Sequence, residues 1–268
     1  MKSRRGYVSH RSGQVHYRTY WPDSGKNNLV LVLSHQSPSS SLMFEAAYPH
    51  LTAANVMCVA VDTPGFGMSD VPDPRPSVED YAEVFPAVLD HFNLKQAHFL
   101  GHHTGAANVT AFAARHPERV TSLILNGPPL FSEEERTERL KGYFGPVAPK
   151  EDGSHLVQRW NGRLKATPGY TNLYAMQRNF LGTLLAGDTF WYGHKAAYEY
   201  DMMRDFKRLK TRTLLLTNTT EDLYQITQRA RALRPDMAYA ELKGGTHDIV
   251  DEQPEAWSAA VAAFIKQS

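Results

Sequence analysis

A histidine stands where a strand turns sharply into a helix. The run Phe99-Leu100-Gly101-His102-His103-Thr104-Gly105-Ala106-Ala107 reads as an apolar strand, a Gly-x-His-x-Gly turn and a helix opening on small residues. Glycines at 101 and 105 would let strand and helix pass closely, and the turn would lift the His103 side chain to the carboxyl edge of the sheet. The helix that follows points its first N–H groups at that edge, which favours developing negative charge. Strained turns seldom hold a bulky side chain without a reason, so His103 is read as a chemical residue. A neutral imidazole can accept a proton or attack an electrophile, but it has no hydroxyl, so an acyl-serine route is closed. His102 is expected to pack beneath the turn.

The elements that must position His103 follow from the hydrophobic pattern. Residues Gly6 to His10 and Gln14 to Tyr20 alternate around Ser12-Gly13, as in a hairpin. Continuous apolar runs at Leu29 to Leu33, Val56 to Val61, Ala97 to Leu100 and Val120 to Leu125 suit central strands covered on both faces. Helical patterns at Leu42 to Ala54, Val78 to Phe92 and Gly105 to Arg115 separate them. This alternation predicts an α/β fold with a mostly parallel sheet and crossover helices on both faces. After Asn126-Gly127-Pro128-Pro129 the rhythm changes. Residues 131–205 are helix-favouring, aromatic and without a comparable strand, and are read as a helical cap inserted into a core of residues 1–130 and 206–268. The alternation resumes with a strand at Thr213 to Thr217, a helix at Asp222 to Leu233, a strand at Ala238 to Leu242 and a helix at Pro254 to Lys266.

Three further motifs, in order and at suitable spacing, resemble those of the α/β-hydrolase superfamily over everything but the insertion. Ser34-His35-Gln36-Ser37-Pro38 is similar to its oxyanion loop, with Gln36 in place of a glycine. Asp62-Thr63-Pro64-Gly65-Phe66-Gly67-Met68-Ser69 is similar to the turn after the next strand, in which Asp62 is a turn residue. Gly244-Gly245-Thr246-His247-Asp248 resembles the catalytic-histidine loop. The resemblance implies a capped α/β-hydrolase fold in which His103 replaces the elbow serine and His247 shuttles protons. It also implies an orienting acid after the strand at 213–217. Of Glu221 and Asp222, Asp222 is preferred, because a shorter side chain opening a helix is stiffer, although it could simply cap that helix. The backbone N–H groups of Ser37 and Thr104 are the expected oxyanion donors.

Several chemistries remain open to such a site. One is hydrolysis of a small, largely apolar ester or lactone, or a related C–C bond, by His103, His247 and an acid, with one imidazole held neutral. A second is cofactor-free lyase or oxygenase-type base catalysis on the same histidine–acid pair. A zinc site built from His35, His103 and His247 is a lesser alternative, and a non-catalytic binder another. The ring-bearing residues Tyr143, Phe144, Trp160, Tyr170, Tyr174, Phe190, Trp191, Tyr192, Tyr198 and Tyr200 are expected mostly to pack the cap, with some facing a substrate. His155 is read as part of a helix start at Ser154.

Composition narrows the partners. A net charge of +1 over 268 residues offers nothing to a polyanion, and Lys2-Ser3-Arg4-Arg5 is a short solvated start. The lone Cys58 lies in an apolar run and fits a reducing compartment. No apolar stretch reaches bilayer length and no leader pattern follows the basic start, so a cytoplasmic protein is expected. It should act on a small molecule without nucleic acid, membrane or cofactor, as a monomer or a homodimer.

Overall fold

The computed structural model describes residues 2–23 and 29–267. Eight strands form one sheet: β1 (Lys2–His10), β2 (Gly13–Trp21), β3 (Leu29–Ser34), β4 (Val56–Val61), β5 (Ala97–His102), β6 (Val120–Asn126), β7 (Thr213–Asn218) and β8 (Ala238–Leu242). Their order is β1-β2-β4-β3-β5-β6-β7-β8, antiparallel where β1 meets β2 and β2 meets β4, and parallel from β4 to β8. The helices of the first half are α1 (Tyr48–Ala53), α2 (Val78–Ala82), α3 (Val84–His91) and α4 (Thr104–Arg115). Between β6 and β7 run α5 (Glu133–Leu140), α6 (Ser154–Ala166), α7 (Leu173–Ala186), α8 (Tyr192–Glu199) and α9 (Met202–Arg208). The chain ends with α10 (Tyr224–Leu233), α11 (Ile249–Glu252) and α12 (Pro254–Ile265).

Strand alternation sorts the apolar runs onto two faces. Leu31, Leu33, Ala60, Leu100, Ile124 and Leu216 pack with Phe44, Tyr48, Leu51 and Trp257 on one side, and Cys58 is buried there, its thiol pushed up by burial. Val32, Val59, Phe99, Leu123, Leu125 and Leu215 pack on the other, against α2, α3 and α4. Phe85, Phe99 and Phe112 meet there at ring separations of 4.8 to 5.5 Å, a geometry that adds about 0.5–1.5 kcal/mol per pair beyond burial. Parallel strands covered on both faces need such unbroken apolar runs, which is why β3, β4, β5 and β6 read clearly in the sequence.

Two expected helices are broken, and proline explains both. The helix expected from Leu42 to Ala54 is a 3₁₀ turn at Ser41–Phe44 followed by α1, whose first turn contains Pro49. The one expected from Val78 to Phe92 divides at Glu83 into α2 and α3, with Pro86 just inside α3. A proline in mid-helix lacks the N–H its turn needs and its ring strikes the carbonyl four residues back. The helix expected from Asp222 begins instead at Tyr224 with Leu223 at its N-cap, so Asp222 does not cap it. No described helix is long and apolar enough to cross a membrane.

Candidate active site

The elbow is built as a close crossing. β5 ends at His102, His103 occupies the turn at φ 48° and ψ −113°, and α4 starts at Thr104. A left-handed φ costs a non-glycine residue on the order of 1–3 kcal/mol, so the surroundings must hold His103 in place. They do so through its backbone, whose N–H donates to the Asn126 carbonyl at 2.9 Å. Asn126 is spent structurally, since its Oδ1 accepts from the Trp257 indole at 2.6 Å. Beneath the ring lies Gly127 at φ 54°, where an added Cβ would sit 2.6 Å from both Glu221 Oε2 and His103 Cδ2. Only glycine combines that backbone conformation with that little space. In the sequence the Asn126-Gly127-Pro128-Pro129 run marks the end of a strand and puts an uncharged Asn126 at an alternative acid position, and neither reading singles out Gly127.

The acid that meets His103 is Glu221. His103 Nε2 lies 2.7 Å from Glu221 Oε2, and the Thr217 hydroxyl donates to Glu221 Oε1 at 2.5 Å. The Glu221 side chain is fully buried and the His103 ring nearly so. A carboxylate only accepts, so Nε2 carries the proton and Nδ1 is the basic nitrogen. Nδ1 has no hydrogen-bond partner among the described residues. Burial pushes the His103 pKa down, but the hydrogen bond and charge of Glu221, with the charges of Asp222 and Asp248, outweigh it and hold the pKa above 6.5.

This corrects the preference for Asp222. That residue is exposed and makes no hydrogen bond among the described residues. The Thr217 hydroxyl holds the Glu221 carboxylate against the His103 ring, and the Asp222 carboxylate stays exposed beside the pair. The ligand atoms of His103, Glu221 and Asp222 lie within 4.8 Å of one another, close enough to hold a metal ion.

The expected pairing of His247 with an orienting acid is also overturned. Its ring lies 5.9 Å from that of His103, centroid to centroid, but its Nε2 faces an Arg163 amino group at 2.5 Å. A guanidinium only donates, so Nε2 is the acceptor and neutral His247 carries its proton on Nδ1. Burial first, then the charges of Arg163 and His103, hold the His247 pKa well below 6.5. Arg163 also pairs with Asp248, whose own pKa burial raises. The exchange of partners is set by what stands at hydrogen-bond distance: Glu221 at His103 Nε2 and Arg163 at His247 Nε2. Arg163, on α6, carried no signal beyond a basic residue on an amphipathic helix.

The supporting loops are tied down by backbone contacts. His102 is buried and its Nε2 lies 3.0 Å from the His247 carbonyl, while burial keeps its ring neutral. The Asn218 amide donates to the carbonyls of Gly244, Gly245 and Thr246 at 2.8 to 3.1 Å, fixing the loop that carries His247. Asp62 accepts from the backbone of Ser41 and Met68 and faces His16 Nδ1 at 2.8 Å, a structural turn. His35 cannot join a metal site, because its Nε2 accepts from the Thr63 N–H at 3.0 Å and its Nδ1 lies 2.8 Å from the Gln36 carbonyl. Of the expected oxyanion donors, the Ser37 N–H is already engaged by Thr104 Oγ1 at 2.8 Å. The Thr104 N–H opens α4, where an α-helix leaves four N–H groups without intrahelical acceptors.

The aromatic residues of the insertion divide. Tyr174 and Tyr143 are 91% and 75% exposed and line nothing buried. Trp160 packs edge-on against Phe180 at 5.4 Å, and the His155 ring caps the Lys150 N–H. Ser154 begins α6 behind Gly153 at its N-cap. His194, on α8, feels the charge of His103, and burial takes its pKa down to about 4.

Comparison with known proteins agrees with the fold. A family model described as the alpha/beta hydrolase fold matches residues 30–159. A 2-(acetamidomethylene)succinate hydrolase of Mesorhizobium japonicum is 23% identical over 256 residues, 91% of this chain and 90% of the relative. A 2-hydroxymuconate semialdehyde hydrolase of Pseudomonas putida is 32% identical over 112 residues, which cover 41% of this chain and 40% of that protein. The crystal structure of the enol-lactonase from Burkholderia xenovorans LB400 superposes with a TM-score of 0.74 at 19% identity, covering 97% of this chain and all of the other. Sheet order, elbow and matched segment together show that the chain has the alpha/beta hydrolase fold.

Proposed function

We propose that the protein hydrolyses a small ester or lactone, with His103 as general base and Glu221 as its orienting carboxylate. The observation that carries this is the 2.7 Å contact between His103 Nε2 and Glu221, which fixes a tautomer with a basic, unpartnered Nδ1 at the sheet edge. Water gives a proton to Nδ1 as its oxygen adds to the carbonyl carbon. Glu221 stabilises the imidazolium that forms, and the imidazolium returns the proton to the leaving oxygen as the C–O bond breaks. The Thr104 N–H, at the start of α4, is suited to the oxyanion. Neutral His247, held by Arg163, adds no positive charge to oppose the protonated His103. Residues 131–205 would form the lid, joined to the core by the Arg163–Asp248 and Arg178–Asp251 ion pairs.

A second reading on the same residues is hydrolysis of a C–C bond beside a carbonyl, which the similarity to a hydrolase named for a semialdehyde, a carbonyl compound rather than an ester, favours. A panel of activated esters, lactones and vinylogous diketo acids separates the two. Turnover of esters or lactones that is lost in His103→Ala supports the first, and turnover of the diketo acids alone supports the second. No turnover in any class removes both.

A further inference from the structure

Helix α6 sends two stripes of residues inward. Residues 156, 157, 158, 161, 162, 165 and 166 are exposed, whereas 155, 159, 160, 163 and 164 are half-buried. Trp160 and Leu164 pack on the cluster of Tyr170, Ala175 and Met176. The other stripe, at i, i+4 spacing, carries Arg159 one turn before Arg163. Arg163 reaches His247 and Asp248, so this stripe faces the edge that holds the active site.

The arginines of this region differ in one respect. Arg163 is neutralised by Asp248, and Arg178, on α7, by Asp251. Arg159 has no carboxylate and no hydrogen-bond acceptor among the described residues; its buried Nε lacks a partner as those of Arg163 and Arg178 do, but their amino groups are paired and its own are not. Its guanidinium lies over the Phe190 ring, 4.3 Å from the centroid. Phe190 belongs to the same stretch as His194, whose ring feels the charge of His103. A guanidinium held over an aromatic face leaves its edge N–H groups free for a planar anion, and of these three arginines Arg159 is the one whose amino groups have no acceptor.

We infer that Arg159 is the anion-binding residue of this site and that the substrate carries a carboxylate seated there, with an apolar body along Phe190. The inference rests on the reading that the His103 edge is the active site, and it narrows the substrate from a small ester or lactone to one bearing an acid group. It assigns a second task to α6, whose other arginine holds His247.

Calorimetric binding of 3-phenylpropanoate and of its uncharged amide tests this without any turnover. The wild-type chain should bind the acid at least about tenfold more tightly than the amide, as one charge-assisted hydrogen-bond pair gives. Arg159→Gln should remove the preference, and Arg159→Lys should restore part of it, with melting curves showing that both variants fold. Benzoate, phenylacetate and succinate extend the test to other lengths. If none of these acids outbinds its amide in the wild-type chain, or if Arg159→Gln keeps the preference, the inference is overturned. Because binding needs no chemistry, an acid preference in a chain that turns over no ester would break the hydrolytic reading alone. Ester turnover without acid preference would break only the assignment of Arg159.

Discussion

Two histidines stand 5.9 Å apart at one sheet edge and have been driven in opposite directions. Both rings are buried, which by itself lowers an imidazole pKa, so burial cannot separate them. Their partners do. His103 meets a carboxylate and its pKa rises; His247 meets a guanidinium and its pKa falls. The pair shows that a residue type at a familiar place does not carry its role with it. The role follows the group at hydrogen-bond distance, and here the acid has moved from the loop histidine to the elbow histidine.

The sharpest way to break this comparison is to delete each ring in turn. His103→Ala should lower kcat/KM for an activated ester on the order of 10²–10⁴-fold, the range for loss of a general base. His247→Ala should lower it by about tenfold or less, as for one neutral hydrogen-bonding group. Equal losses, measured by steady-state kinetics, would mean that both rings act on the proton. Next in size is Gly127→Ala, which forces a Cβ at positive φ against His103 and Glu221. It should destabilise the fold by about 1–3 kcal/mol in denaturant titration and separate the dyad, so that activity falls further than stability alone would give. Unchanged stability would show that the site can relax around a methyl group. The smallest effect is expected from Arg163→Gln. Removing that charge should raise the His247 pKa, though burial, the larger cause, still keeps it below 6.5. An NMR titration of the His247 ring reads this directly, and a pKa that stays put would mean that Arg163 only braces the helix.

What could be read in the chain was whatever is local. The elbow around His103 is a strand, a turn and a helix within nine residues, and each part has its own pattern. The breaks at Pro49 and Pro86 are equally local, but the hydrophobic period runs on across both prolines and masks the missing N–H. The choice between Glu221 and Asp222 was not local. It depends on the Thr217 hydroxyl reaching four residues on and on α10 starting late, at Tyr224. Arg163 and Arg159 lay further beyond reach, since only the packing of α6 over the sheet edge distinguishes them from solvated bases.

The pH dependence of kcat/KM, compared between the wild-type chain and Glu221→Gln, tests the dyad most directly. A base must be unprotonated to act, so wild-type activity should be lost as pH falls through a pKa above 6.5 and be full above it. Without the carboxylate the same ring loses what raised its pKa, so the acidic limb should move to lower pH while the plateau falls. A limb that stays in place in Glu221→Gln, or a wild-type limb well below 6.5, would contradict the assignment of His103 as the base.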